Sequence, residues 1–268
     1  MLPSLTRRTV AAAVALAGLT LVLGTANAQS LADLKKKGEV TIGMLVDFPP
    51  YGILNASNQP DGYDADVARL LAKDLGLKLN LVSVTGPNRI PFLLTGKVDL
   101  LVASLAITPE RAKQVQFSDP YSAATIVLYG AKKTPIKGPA DLKGLHIGVA
   151  RASTQDIALT KIAPEGADIR RFDDDASAMQ ALLSGQVDAI GCSTTVAAQI
   201  AQRAPANTYE DKFVLRQQVM AAALRPGQTE FLKAVNDAIA KEKANGDLDK
   251  LYRKWLGTPL PTLTATGS

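Results

Sequence analysis

Several scarcities bound what this 268-residue chain can do. Cys192 is its one cysteine, so no internal disulfide can form and no thiolate metal site can be built. His146 is its one histidine, which removes His-rich metal sites and leaves nucleophile–histidine triads without raw material except at that place. It lies in Leu145-His-Ile-Gly-Val149, a strand pattern in which a surface or strand-end histidine is the simpler reading. Glycine-rich phosphate loops are absent, so nucleotides have no motif to bind and no cofactor or metal is expected. Basic runs are short, Lys35-Lys-Lys37 and Lys132-Lys133, and lack interleaved aromatics, so nucleic acid is not indicated as a partner.

Long apolar runs are scarce as well. The one at the N-terminus, Val10 to Leu23, is short for a bilayer span. Arg7 and Arg8 precede it and Ala26-Asn-Ala28 follows, the order of a charged region, an apolar region and a cleavage site. Residues 1–28 therefore read as a signal peptide, with Gln29 starting a mature chain that resides in the periplasm. The arginine pair fits twin-arginine export, but Sec signals carry such pairs too. No cysteine stands at the cleavage point to take a lipid anchor. About 240 residues remain, enough for one large or two modest domains. Without Arg7 and Arg8 the net charge falls from +5 to about +3, a mild and scattered excess.

The mature chain echoes itself. Leu93-Leu-Thr-Gly-Lys-Val-Asp-Leu-Leu101 returns in kind as Leu182-Leu-Ser-Gly-Gln-Val-Asp-Ala-Ile190, each the end of a helix, a Gly cap and a buried strand. Val40-Thr-Ile-Gly43 and Leu145-His-Ile-Gly148 form a second echo. The simplest account is an α/β fold of two similar lobes with mostly parallel sheets. Runs at Tyr121 to Lys133 and Phe213 to Leu224 read as strands crossing between them, a two-strand hinge that makes the first lobe discontinuous. The expected boundaries are 29–124 with 220–260 for lobe 1, 125–219 for lobe 2 and 261–268 for a tail. Ligands of parallel α/β sheets sit beyond the carboxyl ends of strands, here in the interlobe cleft.

One segment stands out. Val98 to Ile107 is nearly all apolar, as a strand covered on both faces would be. Thr108 then suits an N-cap, with Pro109 at the first helical position and Arg111 in the same turn. The helix dipole disfavours a cation there unless it faces an anion. Spacing alone leaves equally open a solvated Arg111 paired with Glu110 or Asp119.

Taken together, Asp47-Phe-Pro-Pro-Tyr51, Gly62-Tyr-Asp-Ala-Asp-Val-Ala68, Ile107-Thr-Pro-Glu-Arg-Ala-Lys-Gln114, Phe117-Ser-Asp-Pro-Tyr121, both Gly-x-Val-Asp segments and Leu251-Tyr-Arg-Lys-Trp-Leu-Gly257 resemble the bacterial extracellular solute-binding proteins of polar amino-acid ABC transporters, which have the type 2 periplasmic binding protein fold. The resemblance runs in the family's order through nearly all of the mature chain. It implies a monomer that takes a small-molecule ligand by hinge closure and delivers it to a membrane permease. It also implies that Arg111 grips an α-carboxylate, that Ser153 and Thr154 start the partner lobe's helix, and that Ser104 meets the ligand's amino group. Phe48 and Tyr51 match an aromatic loop that packs on the ligand, although either suits a core.

Departures from the family pattern bear on the ligand. Ser193 stands where an ammonium-binding Asp is usual, and Ala106 where a Ser or Thr often helps. Arg89, in Asn88-Arg-Ile-Pro91, replaces a common apolar residue, and a similar segment occurs in members that bind acidic amino acids. More positive and less negative charge points to an anionic ligand, since a buried unpaired cation is costly. An acidic amino acid fits if Asp47 or another carboxylate replaces the missing clamp; an amine-free organic anion fits without one. Asp173-Asp-Asp175 reads as an acidic helix start. The alternative function is a dehydratase of the cyclohexadienyl type on the same fold, which needs a general acid such as Asp47, Glu165 or Asp173.

Overall fold

The computed structural model describes residues 30–263, so the expected signal peptide lies outside the described residues, as does most of the expected tail. Within that range the architecture is an eight-stranded sheet clad with helices. One end of the sheet is parallel: β1 (Glu39–Leu45) pairs along its length with β4 (Lys78–Val84) and at Ile42 and Gly43 with the short β5 (Leu100–Leu101). A small hairpin of β2 (Ile53–Leu54) and β3 (Pro60–Asp61) lies apart. The other end repeats the pattern. There β7 (His146–Ala150) pairs in parallel with β8 (Asp168–Phe172) on one side and β9 (Ala189–Ser193) on the other.

Two long antiparallel strands, β6 (Gln116–Ala131) and β10 (Tyr209–Leu224), stand between the parallel sets and pair with each other. Ala223 of β10 meets Leu101 at one end, and Ile126 to Gly130 of β6 pair with β9 at the other. The fold is thus α/β, two similar lobes joined by two strands. Both long runs were legible as crossings, and both strands extend further toward their N-terminal ends than the apolar runs suggested.

The repeated Gly-x-Val-Asp segments have a shared structural cause. Asp99 accepts a hydrogen bond from the Thr41 backbone N–H (2.9 Å) and Asp188 one from His146 N–H (2.8 Å). In each half the aspartate thereby ties the incoming third strand to the start of the first. The glycines before them, Gly96 and Gly185, take positive φ (74° and 75°), the left-handed turn that only glycine adopts cheaply. The expected strand over Val98 to Ile107 is corrected here. Only Leu100 and Leu101 are strand, because Ser104 turns to φ 47° and the apolar remainder becomes a buried loop, with Ala106 bridging Met220.

In the first half α1 (Leu31–Lys37), α2 (Tyr63–Leu75), α3 (Arg89–Leu94) and the single turn α4 (Pro109–Ala112) connect the strands. The second half uses α5 (Thr154–Ile162), α6 (Asp175–Leu183) and α7 (Thr194–Arg203). After β10 the chain returns to the first half as α8 (Thr229–Ala244) and α9 (Asp247–Leu256), which pack on α2. Asn245 caps the end of α8, and Gly246 and Gly257, both with positive φ, flank α9. Core side chains such as Leu34, Ile42, Leu71 and Phe231 are wholly buried in the first half, and Ile147, Val149 and Leu159 in the second. Burial of this kind supplies most of the driving force for such a fold.

Candidate functional site

Beyond the carboxyl ends of β1 and β7 the two halves face each other across a small cavity of about 40 Å³. Asp47, Phe48, Arg89, Ser104 and Arg111 line it from the first half; Ser153, Thr154, Gln155 and Asp175 line it from the second. Ile126 and Gln218, from the two long strands, line it as well.

Arg111 reaches the cavity because its own short helix is capped as the sequence implied. Thr108 accepts from the Arg111 backbone N–H at 3.2 Å, with Pro109 at the first helical position. The side chain then turns inward rather than to Glu110 or Asp119, and is 7 % exposed. Its Nη1 donates to Ala106 O and its Nη2 to Ala152 O, both at 3.0 Å, so one guanidinium touches both halves. Ala152 holds φ at 59°, and its N–H donates to Asp156 at 3.3 Å, which helps fix the carbonyl that meets Arg111.

Arg89, the first residue of α3, is 5 % exposed, and its side chain makes a single hydrogen bond, Nη1 to Ala103 O at 2.8 Å, among the described residues. Burial lowers both guanidinium pKa values, Arg89 to about 10 and Arg111 to about 9, and the Arg89 and Arg216 charges add to the effect at Arg111. Both remain cationic at neutral pH. Two buried cations at one cavity are costly unless an anion joins them.

Carboxylates balance them in part. Burial pushes Asp47 up to about 6, helped by the charge of Asp174, and Asp175 up to about 7, helped by Asp47. Gln155 is buried and donates from Nε2 to Asp175 Oδ1 at 2.9 Å, while Asp175 has no other hydrogen-bond donor among the described residues. Asp174 is the N-cap of α6, accepting from Ser177 N–H at 2.6 Å, and Asp173 lies out in solvent near Arg151. The acidic run is therefore a helix start, as read from the sequence, but its three members also line the cavity.

Other expected site residues fall differently. Phe48 lines the cavity and stacks on Tyr51 at 5.0 Å between ring centroids. Tyr51 itself is buried behind, its hydroxyl donating to Ala123 O. Ser153 caps α5 through Asp156 N–H, and Thr154 follows it into the helix. Ala106 contributes a carbonyl to Arg111 rather than a side chain to the cavity. Ser193 ends β9 and is wholly buried, with its hydroxyl spent on Val196 N–H and Thr195 Oγ1. Tyr51, Ala106 and Ser193 thus lie outside the lining. Asp175, Gln155 and Gln218 are lining residues that the sequence reading did not assign to the site. A signal for Asp175 existed: it opens the helix leading into the second Gly-x-Val-Asp segment, as Arg89 opens the one leading into the first.

Two matched lobes meeting at a cavity lined by guanidiniums and carboxylates have the architecture of a solute-binding protein. The chain belongs to the bacterial extracellular solute-binding proteins, family 3, which it matches over residues 40–258. It is similar to the L-cystine-binding protein TcyJ of Escherichia coli strain K12, 30% identical, covering 91% of this chain and 92% of that one. The ABC transporter glutamine-binding protein GlnH of Bacillus subtilis strain 168 is 32% identical, over 85% and 84% of the two chains. Among solved structures, the ancestral amino acid-binding protein AncCDT-1, described as a precursor of cyclohexadienyl dehydratase, superposes with a TM-score of 0.76 at 35% identity, covering 84% of this chain and 98% of that one. The curated relatives carry names of binding proteins rather than of enzymes.

Proposed function

We propose that this chain is the substrate-binding component of an amino-acid ABC transporter and that its ligand is an acidic amino acid. In this reading Arg111 takes the α-carboxylate, where a planar guanidinium matches a carboxylate bidentately. Arg89 takes the side-chain carboxylate, and Asp47 with Asp175 takes the ammonium. The observation that carries the acidic assignment is Arg89: a buried cation on the cavity, with one hydrogen bond to a neutral carbonyl and no carboxylate within ion-pair distance among the described residues. The names of the relatives support an amino acid, and the carboxylates favour an amine-bearing ligand over the amine-free anion that the sequence left open.

The ligand enters between lobe 1 (29–124 and 220–260) and lobe 2 (125–219), which close over it by bending at β6 and β10. A monomer exported to the periplasm by its signal peptide then presents the closed form to a membrane permease. The dehydratase alternative could use Asp47, which lines the cavity with its pKa raised to about 6, but the names of the relatives favour binding.

A thermal-shift panel on protein starting at Gln29, unfolded and refolded to strip carried-over ligand, tests the reading. Glutamate or aspartate should raise the melting temperature by mass action. A response confined to glutamine, cystine or arginine removes the acidic assignment and leaves the transport role. In calorimetry, Arg89→Leu should weaken acidic ligands by about tenfold or more, the scale of one charged hydrogen bond, and neutral ones much less. Equal loss for both classes counts against the place given to Arg89.

A further inference from the structure

Asp64, the second residue of α2, is wholly buried behind the cavity. Its oxygens are held by hydroxyls rather than by a cation: Oδ2 accepts from Ser104 Oγ at 2.7 Å and Oδ1 from the Tyr121 hydroxyl at 2.9 Å. The Tyr121 oxygen in turn accepts from the Ser104 backbone N–H at 3.1 Å. Both donors of Ser104 are therefore directed away from the cavity that Ser104 lines. Ser104 has φ 47°, a conformation an L-residue keeps only where its surroundings over-determine it. The preceding carbonyl, Ala103 O, is the one that receives Arg89, so the same loop sets two features of the site.

A serine hydroxyl carries one proton and two lone pairs. With the proton committed to Asp64, the oxygen offers the cavity only acceptor capacity. An ammonium group brings three donors and needs that polarity. We propose that Asp64 is a positioning residue for ligand binding, which fixes Ser104 as an acceptor for the ligand's amino group. This rests on the amino-acid reading given above. Burial raises the Asp64 pKa to about 6, which leaves the carboxylate ionised at neutral pH and its hold on the serine proton charge-assisted.

The variant Asp64→Asn replaces one acceptor by an NH₂ that can donate to Ser104 Oγ and turn the hydroxyl proton into the cavity. Calorimetry with the amino acid that the wild type binds should show a loss of about tenfold or more, the scale of one hydrogen bond to a charged group. Circular dichroism should show the fold kept. In a Ser104→Ala background the same substitution should add little further loss, because its effect runs through that hydroxyl. A lowered melting temperature with unchanged affinity overturns the proposal and leaves a merely structural network. Ser104→Ala alone provides a test that does not need the Asn variant to fold: unchanged affinity there also overturns it. A wild type that takes only amine-free acids sinks the amino-acid reading and this inference together, whereas a wild type that binds an amino acid and variants that bind equally well sink this inference alone.

Discussion

Arg111 does two tasks with one side chain. Its guanidinium donates to carbonyls in both halves and also faces the cavity, where N–H donors remain for a ligand carboxylate. Arg111→Ala should abolish measurable binding, a loss of about a hundredfold or more for two charge-assisted bonds, with the circular dichroism spectrum unchanged; a variant that binds normally removes Arg111 from the site. The carboxylates give a second prediction. Asp47 and Asp175 are raised from 3.8 to about 6 and about 7, chiefly by burial. A raised carboxyl pKa means that the folded state holds protons more tightly than the unfolded one. Their contribution to stability is thus full below about pH 4 and is lost as pH rises through 6 to 7. A ligand ammonium needs the ionised forms, so affinity should strengthen from pH 5 to pH 8 while the ligand-free protein gains nothing from these two groups. Because they interact, the profile reports the pair rather than either residue. An affinity flat across that range, measured by calorimetry, would remove both from contact with the ammonium.

Elements were read more surely from the sequence than the site was. Caps are local chemistry, and Thr108, Gly185 and Gly257 announce theirs in the residues themselves. The repeated Gly-x-Val-Asp segments gave away the two-lobed plan because each Asp serves the same strand-tying bond. What stayed hidden depends on three-dimensional approach. The apolar run at Val98 to Ile107 carries no mark of the turn at Ser104, since a buried loop and a buried strand are equally apolar. Asp175 reads as any acidic helix start until α5 places Gln155 against it. That placement depends on Gly191 of β9, where an added Cβ would lie 2.7 Å from Leu159 Cδ1 and 2.9 Å from Gln155 Cβ. Gly191→Ala should therefore push α5 away from the sheet and cost about 1–3 kcal/mol, as overpacking does in a filled core. Urea unfolding would measure it, and a cost near zero would mean that α5 shifts freely. The same variant should bind ligand more weakly, because Gln155 moves with its helix.

At the scale of the whole molecule, function requires that the halves approach and part. The sequence announced the two connecting strands but not the surfaces that meet when the cleft narrows. Two contacts mark that meeting: Arg111 Nη2 on Ala152 O, and Gly86 beside Arg151 O, where an added Cβ would stand 2.8 Å from the carbonyl oxygen. Gly86 has no positive φ to excuse its being glycine, so the absence of a side chain serves the close approach itself. It precedes α3 in the first half and lines the cavity. Gly86→Val should leave each half folded and obstruct the closed arrangement. The expected signature separates closure from stability: an unchanged melting temperature without ligand, a weakened affinity, and a smaller ligand-induced fall in the radius of gyration by small-angle scattering. Ligand binding selects the closed state by its differential affinity for it, so a variant that raises the energy of closure lowers apparent affinity by the same factor. If Gly86→Val binds and compacts as the wild type does, the lobes do not need this contact to close, and the hinge reading rests on Arg111 alone.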